Sequence, residues 1–362
     1  MTAPGFVWRH ARLLIVGICL LVSACAASPD SALARVAPDS FAPLVKKVLP
    51  AVVNIAVTET LTGNDFLADL PPELRGTPFE RQFRERFRNR REQMMGAGSG
   101  FIIDPSGIIV TNNHVVGHAE KIVVSLSDGT ELPARVIGVD ELTDIAVIKV
   151  ISNRSLPYVV WGDSRQVEVG DWILACGNPF GLGGSVTAGI VSARGRDIGA
   201  GPFDDFLQLD APINPGNSGG PTFNLQGEVV AINTAIVSPT GGSVGIGFAI
   251  PSEIVQKIVA DLRNKGHIDR GWLGVSVQDV PGDAGGVAIA SIERNGPAAK
   301  SGVRPGDMVT AVNGEKVDSA RGLIRAVAAV PPGGSVHLSV RRAGREVDIP
   351  VTVGQRPNTT DG

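Results

Sequence analysis

The chain has 362 residues, 43% of them hydrophobic and 19% charged, which excludes a disordered or fibrous protein and allows two or three domains. Its 36 acidic residues outnumber its 33 basic ones, for a net charge of −3, which argues against a nucleic-acid binder. No Gly-Lys-Ser/Thr phosphate loop is present, and the glycines of 177-GNPFGLGG-184 lack the following Lys, so ATP-driven work is not expected.

The N-terminus reads as an export signal. Arg9, His10 and Arg12 precede the apolar run 13-LLIVGICLLVSACAA-27, too short for a convincing membrane span and ending in small residues. Its tail, 22-VSAC-25, is similar to a bacterial lipobox, in which Cys25 is lipidated and becomes the first mature residue. Ordinary cleavage near Ala24–Ala27 is the alternative. Residues 1–25 are therefore assigned to a signal peptide of lipoprotein type, and 26–40 to a polar tether. Cys176 is then the single interior thiol, unable to form an internal disulfide; after 172-WILA-175 it reads as a buried apolar residue.

Short β-rich runs follow at 51–57, 99–104, 107–116, 121–127, 144–150, 172–177, 185–193 and 228–237. Gly, Asp-Gly or Pro breaks separate them, a pattern of antiparallel sandwiches and barrels. Residues 58–97 interrupt it and contain 81-RQFRERFRNRREQ-93, with six Arg in thirteen residues, expected as a solvated loop or helix. A helix is expected over 251-PSEIVQKIVADLRNKG-266, with Ile254, Ile258 and Leu262 on one face beside Val255 and Val259. Residues 264–270 read as a linker. Beyond them, strand patterns from 273 to 353 and a helix at 319–330 describe a small β-barrel-like module.

The glycine-rich 213-INPGNSGGP-221 raises the question of a nucleophile. A serine hydroxyl needs a base, and the base needs an orienting group. Of five histidines, His114 in 111-TNNHVV-116 ends a strand where a loop would expose it. His118 follows four residues later, but HVVGH has neither the Glu nor the helical pattern of a zinc protease, so His118 reads as a surface residue and no metal or cofactor is expected. Asp144 stands at the mouth of the apolar strand in 143-TDIAV-147, where an unpaired carboxylate is costly; it is either a strand cap or the orienting acid. The order His, Asp, Ser in an all-β domain is that of the chymotrypsin-like triad.

TNNHVV, TDIAV and GNSGGP, followed by a module that opens GWLGV, resemble the HtrA (DegP/DegQ, Do) family of exported serine proteases over roughly residues 40–356. The resemblance implies a mainly β fold: a chymotrypsin-like double β-barrel protease domain at 41–263, the 264–270 linker, and a C-terminal PDZ domain at 271–356. It implies that Ser218 is the nucleophile, His114 its base and Asp144 the orienting group. Gly216, Asn217 and Ser218 would form the oxyanion hole, with Gly219 and Gly220 keeping the turn free of side chains. Ile213, Asn233, Thr234, Ala235 and Ile236 would line an uncharged pocket suited to cleavage after Val or Ala. Leu273, Gly274 and Val275 would bind peptide in the PDZ groove; a PDZ that only packs against the protease is the alternative.

Asn217 stands where digestive relatives carry an Asp that pairs with a newly cut N-terminus, so activation through loop ordering is expected, with Arg196 a candidate switch among loops near 177–181, 195–205 and 237–245. The expected protein is a periplasmic or envelope, ATP-independent endopeptidase of unfolded chains. It would be a homotrimer or a larger multiple of trimers, lipid-anchored through Cys25 if the lipobox reading holds. A regulatory protease cutting one membrane signalling protein and a chaperone-like holdase are the alternatives.

Overall fold

The computed structural model describes residues 38–61, 92–179, 183–280 and 286–356. The signal, Cys25 and most of the Arg-rich run lie outside the described residues. The first domain opens with helix α1 (Ala42–Val48), then strands β1 (Val52–Leu61), β2 (Glu92–Asp104) and β3 (Ile108–Thr111). One helical turn, α2 (Asn113–Val116), precedes β4 (Lys121–Ser125), β5 (Glu131–Asp140) and β6 (Ile145–Val150). The six strands close into a barrel in the order β1-β2-β3-β6-β5-β4. Strand β4 alternates, burying Ile122 and Val124, whereas β3 is buried along its whole length and reads as an unbroken apolar run.

The interruption expected at 58–97 is shorter than its sequence suggests. Strands β1 and β2 stay paired out to Leu61 opposite Glu92, whereas the pairing of β1 with β4 ends at Thr58, so the two strands run on beyond Thr58 as a ribbon outside the barrel. There the pairing is satisfied within the hairpin, and little apolar patterning is required of it.

The second barrel uses β8 (Trp172–Gly177), β9 (Ser185–Arg196), β10 (Phe206–Leu209), β11 (Pro221–Phe223), β12 (Glu228–Ile236) and β13 (Gly247–Pro251), after a short β7 (Val160–Trp161). Pairing of β11 with β12 closes it, and β7 adds in parallel to β12. Its core includes Ile173, Leu207, Leu209, Val230 and Ala249. Helix α3 (Ser252–Lys265) buries Val255, Ile258, Val259 and Leu262 and lies against β5 and β6 of the first barrel and β12 and β13 of the second. Each buried side chain contributes about 1.5–3 kcal/mol, so this helix binds the two barrels together. Ile254 is only half-buried, at the edge of that face.

The C-terminal module contains β14 (Gly271–Trp272), β15 (Val275–Val280), β16 (Gly286–Ile292), α4 (Pro297–Lys300), β17 (Met308–Val312), β18 (Glu315–Lys316), α5 (Ala320–Ala328), β19 (Ser335–Arg342), β20 (Arg345–Thr352) and β21 (Gly354–Gln355). Its main sheet runs β15-β16-β17-β19-β20, which leaves β15 as an edge strand. Ser319 caps α5 by accepting the Gly322 N–H at 3.2 Å. The expected linker is an anchored segment. Arg270 is buried and both terminal guanidinium nitrogens bond Asp140 at the end of β5, so residues 42–362 group as one unit.

Candidate active site

His114 lies in α2, a helical turn where a loop was expected. Its position follows from Asp144. The Asp144 carboxylate accepts the His114 backbone N–H on Oδ1 at 2.9 Å and faces the ring Nδ1 with Oδ2 at 2.8 Å. A carboxylate only accepts here, so Nδ1 carries the hydrogen and Nε2 is the basic nitrogen. Asp144 itself has φ 56°, a left-handed conformation that costs a non-glycine residue about 1–3 kcal/mol. Two bonds to its carbonyl hold it there, from Asn113 N–H at 3.1 Å and from Asn112 Nδ2 at 2.8 Å.

Ser218 and His114 line one cavity of about 300 Å³. No hydrogen bond joins them; the Ser218 hydroxyl instead donates to the Thr234 carbonyl at 3.3 Å. Rotation about the serine Cα–Cβ bond is the movement that would bring Oγ to Nε2, and such bonds are commonly long before substrate arrives. The turn that carries Ser218 requires glycine. Gly219 has φ 82°, and a Cβ there would lie 2.2 Å from the Ser99 carbonyl oxygen; one on Gly220 would lie 2.1 Å from that of Cys176.

The N–H groups of this turn divide sharply. Asn217 donates to Asn214 at 3.0 Å, Gly219 to Asn233 at 2.8 Å and Gly220 to Asn217 at 3.0 Å. Those of Gly216 and Ser218 find no acceptor among the described residues. The Asn217 N–H, expected as a third oxyanion donor, is therefore already committed.

Several positioning residues escaped the sequence reading. Ser99, fully buried in β2, donates its N–H to the Ser218 carbonyl at 2.8 Å and its hydroxyl to the Gly216 carbonyl at 2.6 Å. That hydroxyl also accepts the Asn178 N–H at 2.7 Å, while Thr111 Oγ1 donates to the Ser99 carbonyl at 2.7 Å. Asn112, besides gripping Asp144, bonds Thr234 Oγ1 at 2.9 Å. The available signal was the buried polar residue in 97-AGSGF-101, set between glycines in an otherwise apolar strand.

The five expected pocket residues divide. Ile213 is buried in the second core, and Asn233 is fully buried, bonding Thr222 Oγ1 at 2.7 Å and the Cys176 carbonyl at 3.0 Å. These two brace the turn and its strands. Thr234 and Ala235 line a separate cavity of about 390 Å³ behind His114 and Asp144, walled by Phe203, Phe206 and Ile254. Ile236 is half-buried against the second core. Cys176 is buried, and burial pushes its thiol pKa up to about 12, the environment of an inert side chain.

Arg196 closes β9 and donates from Nε to Gln208 Oε1 at 2.9 Å. The loop after it meets the C-terminal module: Arg321 pairs with Asp197, and Arg325 bonds the carbonyls of Pro202 and Asp204. Phe203 in the same loop lies under the Arg270 guanidinium, 4.7 Å from ring centre to Cζ. Part of the expected 177–181 loop lies outside the described residues. In the C-terminal module Leu273 is buried in the core, Gly274 has φ 72° and Val275 opens the edge strand β15. Among the described residues no three His, Cys, Asp or Glu side chains are grouped to hold a metal.

Two family models match the chain: a trypsin-like peptidase domain over residues 98–232 and a PDZ domain over residues 271–353. The probable periplasmic serine endoprotease DegP-like of Brucella suis biovar 1 (strain 1330) is 48% identical, across 88% of this chain and 69% of that protein. Its namesake from Halomonas elongata is 41% identical across 98% of this chain and 77% of that one. Among solved structures, the HtrA-type protease AlgW with decapeptide has a TM-score of 0.72 at 36% identity, covering 88% of this chain and 99% of its own. The serine endoprotease from Yersinia pestis has a TM-score of 0.68 at 32% identity, covering 89% and 100%.

Proposed function

Because this chain belongs to the HtrA-type, DegP-like family of serine endoproteases, we propose that it cleaves misfolded or damaged envelope proteins in the periplasm without ATP. The observation that carries this reading is the His114–Asp144 pair facing Ser218 across one cavity, with two uncommitted N–H groups beside the nucleophile. Ser218 Oγ attacks the scissile carbonyl as His114 Nε2 takes its proton, and Asp144 steadies the imidazolium that forms. The oxyanion is received by the N–H groups of Gly216 and Ser218, where loss of one such donor costs about 10²–10³ in rate. The imidazolium then gives its proton to the leaving amine, and water repeats the sequence on the acyl-enzyme.

Substrate capture falls to the C-terminal module. Strand β15 has one free edge, the kind of edge to which an extended peptide adds as a further strand, with α5 as the opposite wall. Leu273 supports this groove from the core, while Gly274 and Val275 belong to its floor. Assembly as a homotrimer and lipid attachment at Cys25 complete the proposal. A regulatory role is the second reading, favoured by the α5 arginines on the 197–204 loop: a peptide in the groove would act on the loop that follows Arg196.

The test is cleavage of unfolded casein by the mature protein beside Ser218→Ala, with and without hydrophobic C-terminal peptides. Cleavage by the intact protein alone is expected. Strict dependence on one C-terminal sequence would favour regulation. Absence of cleavage with suppression of aggregation by both proteins would replace the protease reading with that of a holdase.

A further inference from the structure

The cavity shared by His114 and Ser218 has a wall that the catalytic groups do not use. The outer ends of β1 and β2 supply it through Val57, where β1 leaves the barrel, and through Met94 and Met95, and Val115, Ala119 and Pro215 add further apolar surface. Val57 and Val115 are buried, but Met94 is 53% exposed and Met95 83% exposed. Pairing of Glu59 with Met94 and Val57 with Gly96 places Val57, Glu59 and Met94 on one face of the ribbon, with Met95 on the other. No residue of β12 lines this cavity, so it is distinct from the surface around Thr234 and Ala235.

Chemistry decides which part of a substrate reaches this wall. The leaving amine must receive its proton from His114 Nε2, so the chain beyond the cut starts against the imidazole and runs away from it. His114, Val115, His118 and Ala119 line the same cavity as the two methionines, so a chain leaving the imidazole through it meets them. We propose that Met94, with Met95 at its rim, is a specificity determinant for the residues that follow the scissile bond, selecting apolar side chains there. Glu59, on the same face as Met94, disfavours acidic ones by like-charge repulsion. Methionine suits this task, since an unbranched thioether chain adapts to many apolar shapes, and exposed apolar surface gains from being covered. The inference rests on the protease reading and concerns the leaving-group side of the same cavity.

Cleavage sites in unfolded casein, mapped by mass spectrometry of the new N-termini, test it. Wild type is expected to show apolar residues enriched at the first two positions after the cut. A peptide with Leu there should exceed its Asp counterpart in kcat/KM by about tenfold or more. The double variant Met94→Asp/Met95→Asp should lose that ratio, Met94→Leu should keep it, and the preference before the cut should stay as in wild type. An unchanged ratio in the double variant overturns the proposal, as does a change in oligomeric state with the ratio intact, which would make the ribbon a contact between copies. Loss of cleavage together with loss of fluorophosphonate labelling of Ser218 would instead sink the protease reading itself.

Discussion

Ser99 holds the turn of Ser218 by two bonds at once: its N–H meets the Ser218 carbonyl at 2.8 Å, and its hydroxyl meets the Gly216 carbonyl at 2.6 Å. Ser218 belongs to the second barrel and Ser99 to the first, so the cleft geometry is set by a bond across the domain's midline. Ser99→Ala removes the hydroxyl and leaves the Asn178 N–H without its acceptor. A loss of about 1–3 kcal/mol in urea unfolding is expected, with kcat/KM lower by about ten- to a hundredfold from misplacement of the turn. Full activity in Ser99→Ala would show that the turn is held elsewhere.

The bond between Arg270 and Asp140 is the corresponding brace between modules. The side chains are 10% and 6% exposed, and Thr143, next to Asp144, also donates its hydroxyl to Asp140. Arg270→Ala should cost about 3–5 kcal/mol, because it strands a buried carboxylate. The double variant Arg270→Met/Asp140→Leu should recover most of that stability without the charge. Equal stability of the two variants in guanidinium titration would refute this assignment.

Asp307 predicts how the C-terminal module responds to acid. Arg342 grips both carboxylate oxygens at 2.7 Å, and the Arg304 N–H adds a bond at 2.8 Å. The Arg342 guanidinium holds the Asp307 carboxyl below the usual carboxylate range. A pKa depressed in the folded state stabilises the fold above the unfolded value, about 3.9, and this contribution fades as pH falls through the folded value. Below about pH 4 the wild-type module should therefore lose stability more steeply than Asp307→Asn, whereas at pH 7 the variant should be weaker by about 1.5–3 kcal/mol. Parallel urea midpoints at pH 7 and pH 3 would contradict this.

Cys176 should not react with thiol reagents in the folded protein, because burial raises its pKa to about 12 and keeps thiolate scarce. Iodoacetamide labelling followed by mass spectrometry should modify it only after denaturation. Rapid labelling at pH 8 without unfolding would show an open route to the second barrel.

Much of the fold was legible because barrel strands repeat a local pattern. The runs at 121–127, 144–150 and 172–177 alternate or stay apolar between turn residues, and β4, β6 and β8 lie there. Strands β5, β7, β10, β11 and β13 were missed. β5 carries Pro133 and several exposed side chains, and the other four span five residues or fewer, too short for periodicity to register. Their strand character comes from partners distant in sequence. Helix α3 stood out because one apolar face recurs over fourteen residues.

The sequence by itself singled out the candidate side chains for chemistry, since His114, Asp144 and Ser218 each sit in a short motif whose residues also shape the local turn. It also determined the need for glycine at 219 and 220, though only the fold explains why, through the carbonyls of Ser99 and Cys176. Tertiary structure alone decided which N–H groups of the Ser218 turn remain uncommitted, that Ile213 and Asn233 are braces, and that Arg270 anchors the segment expected to be a linker. Those outcomes depend on pairings outside any one motif, such as Gly219 with Asn233, Asn233 with Cys176 and Asp140 with Arg270. A hydrogen bond is set by where two groups meet in space, and no local run of residues encodes that meeting.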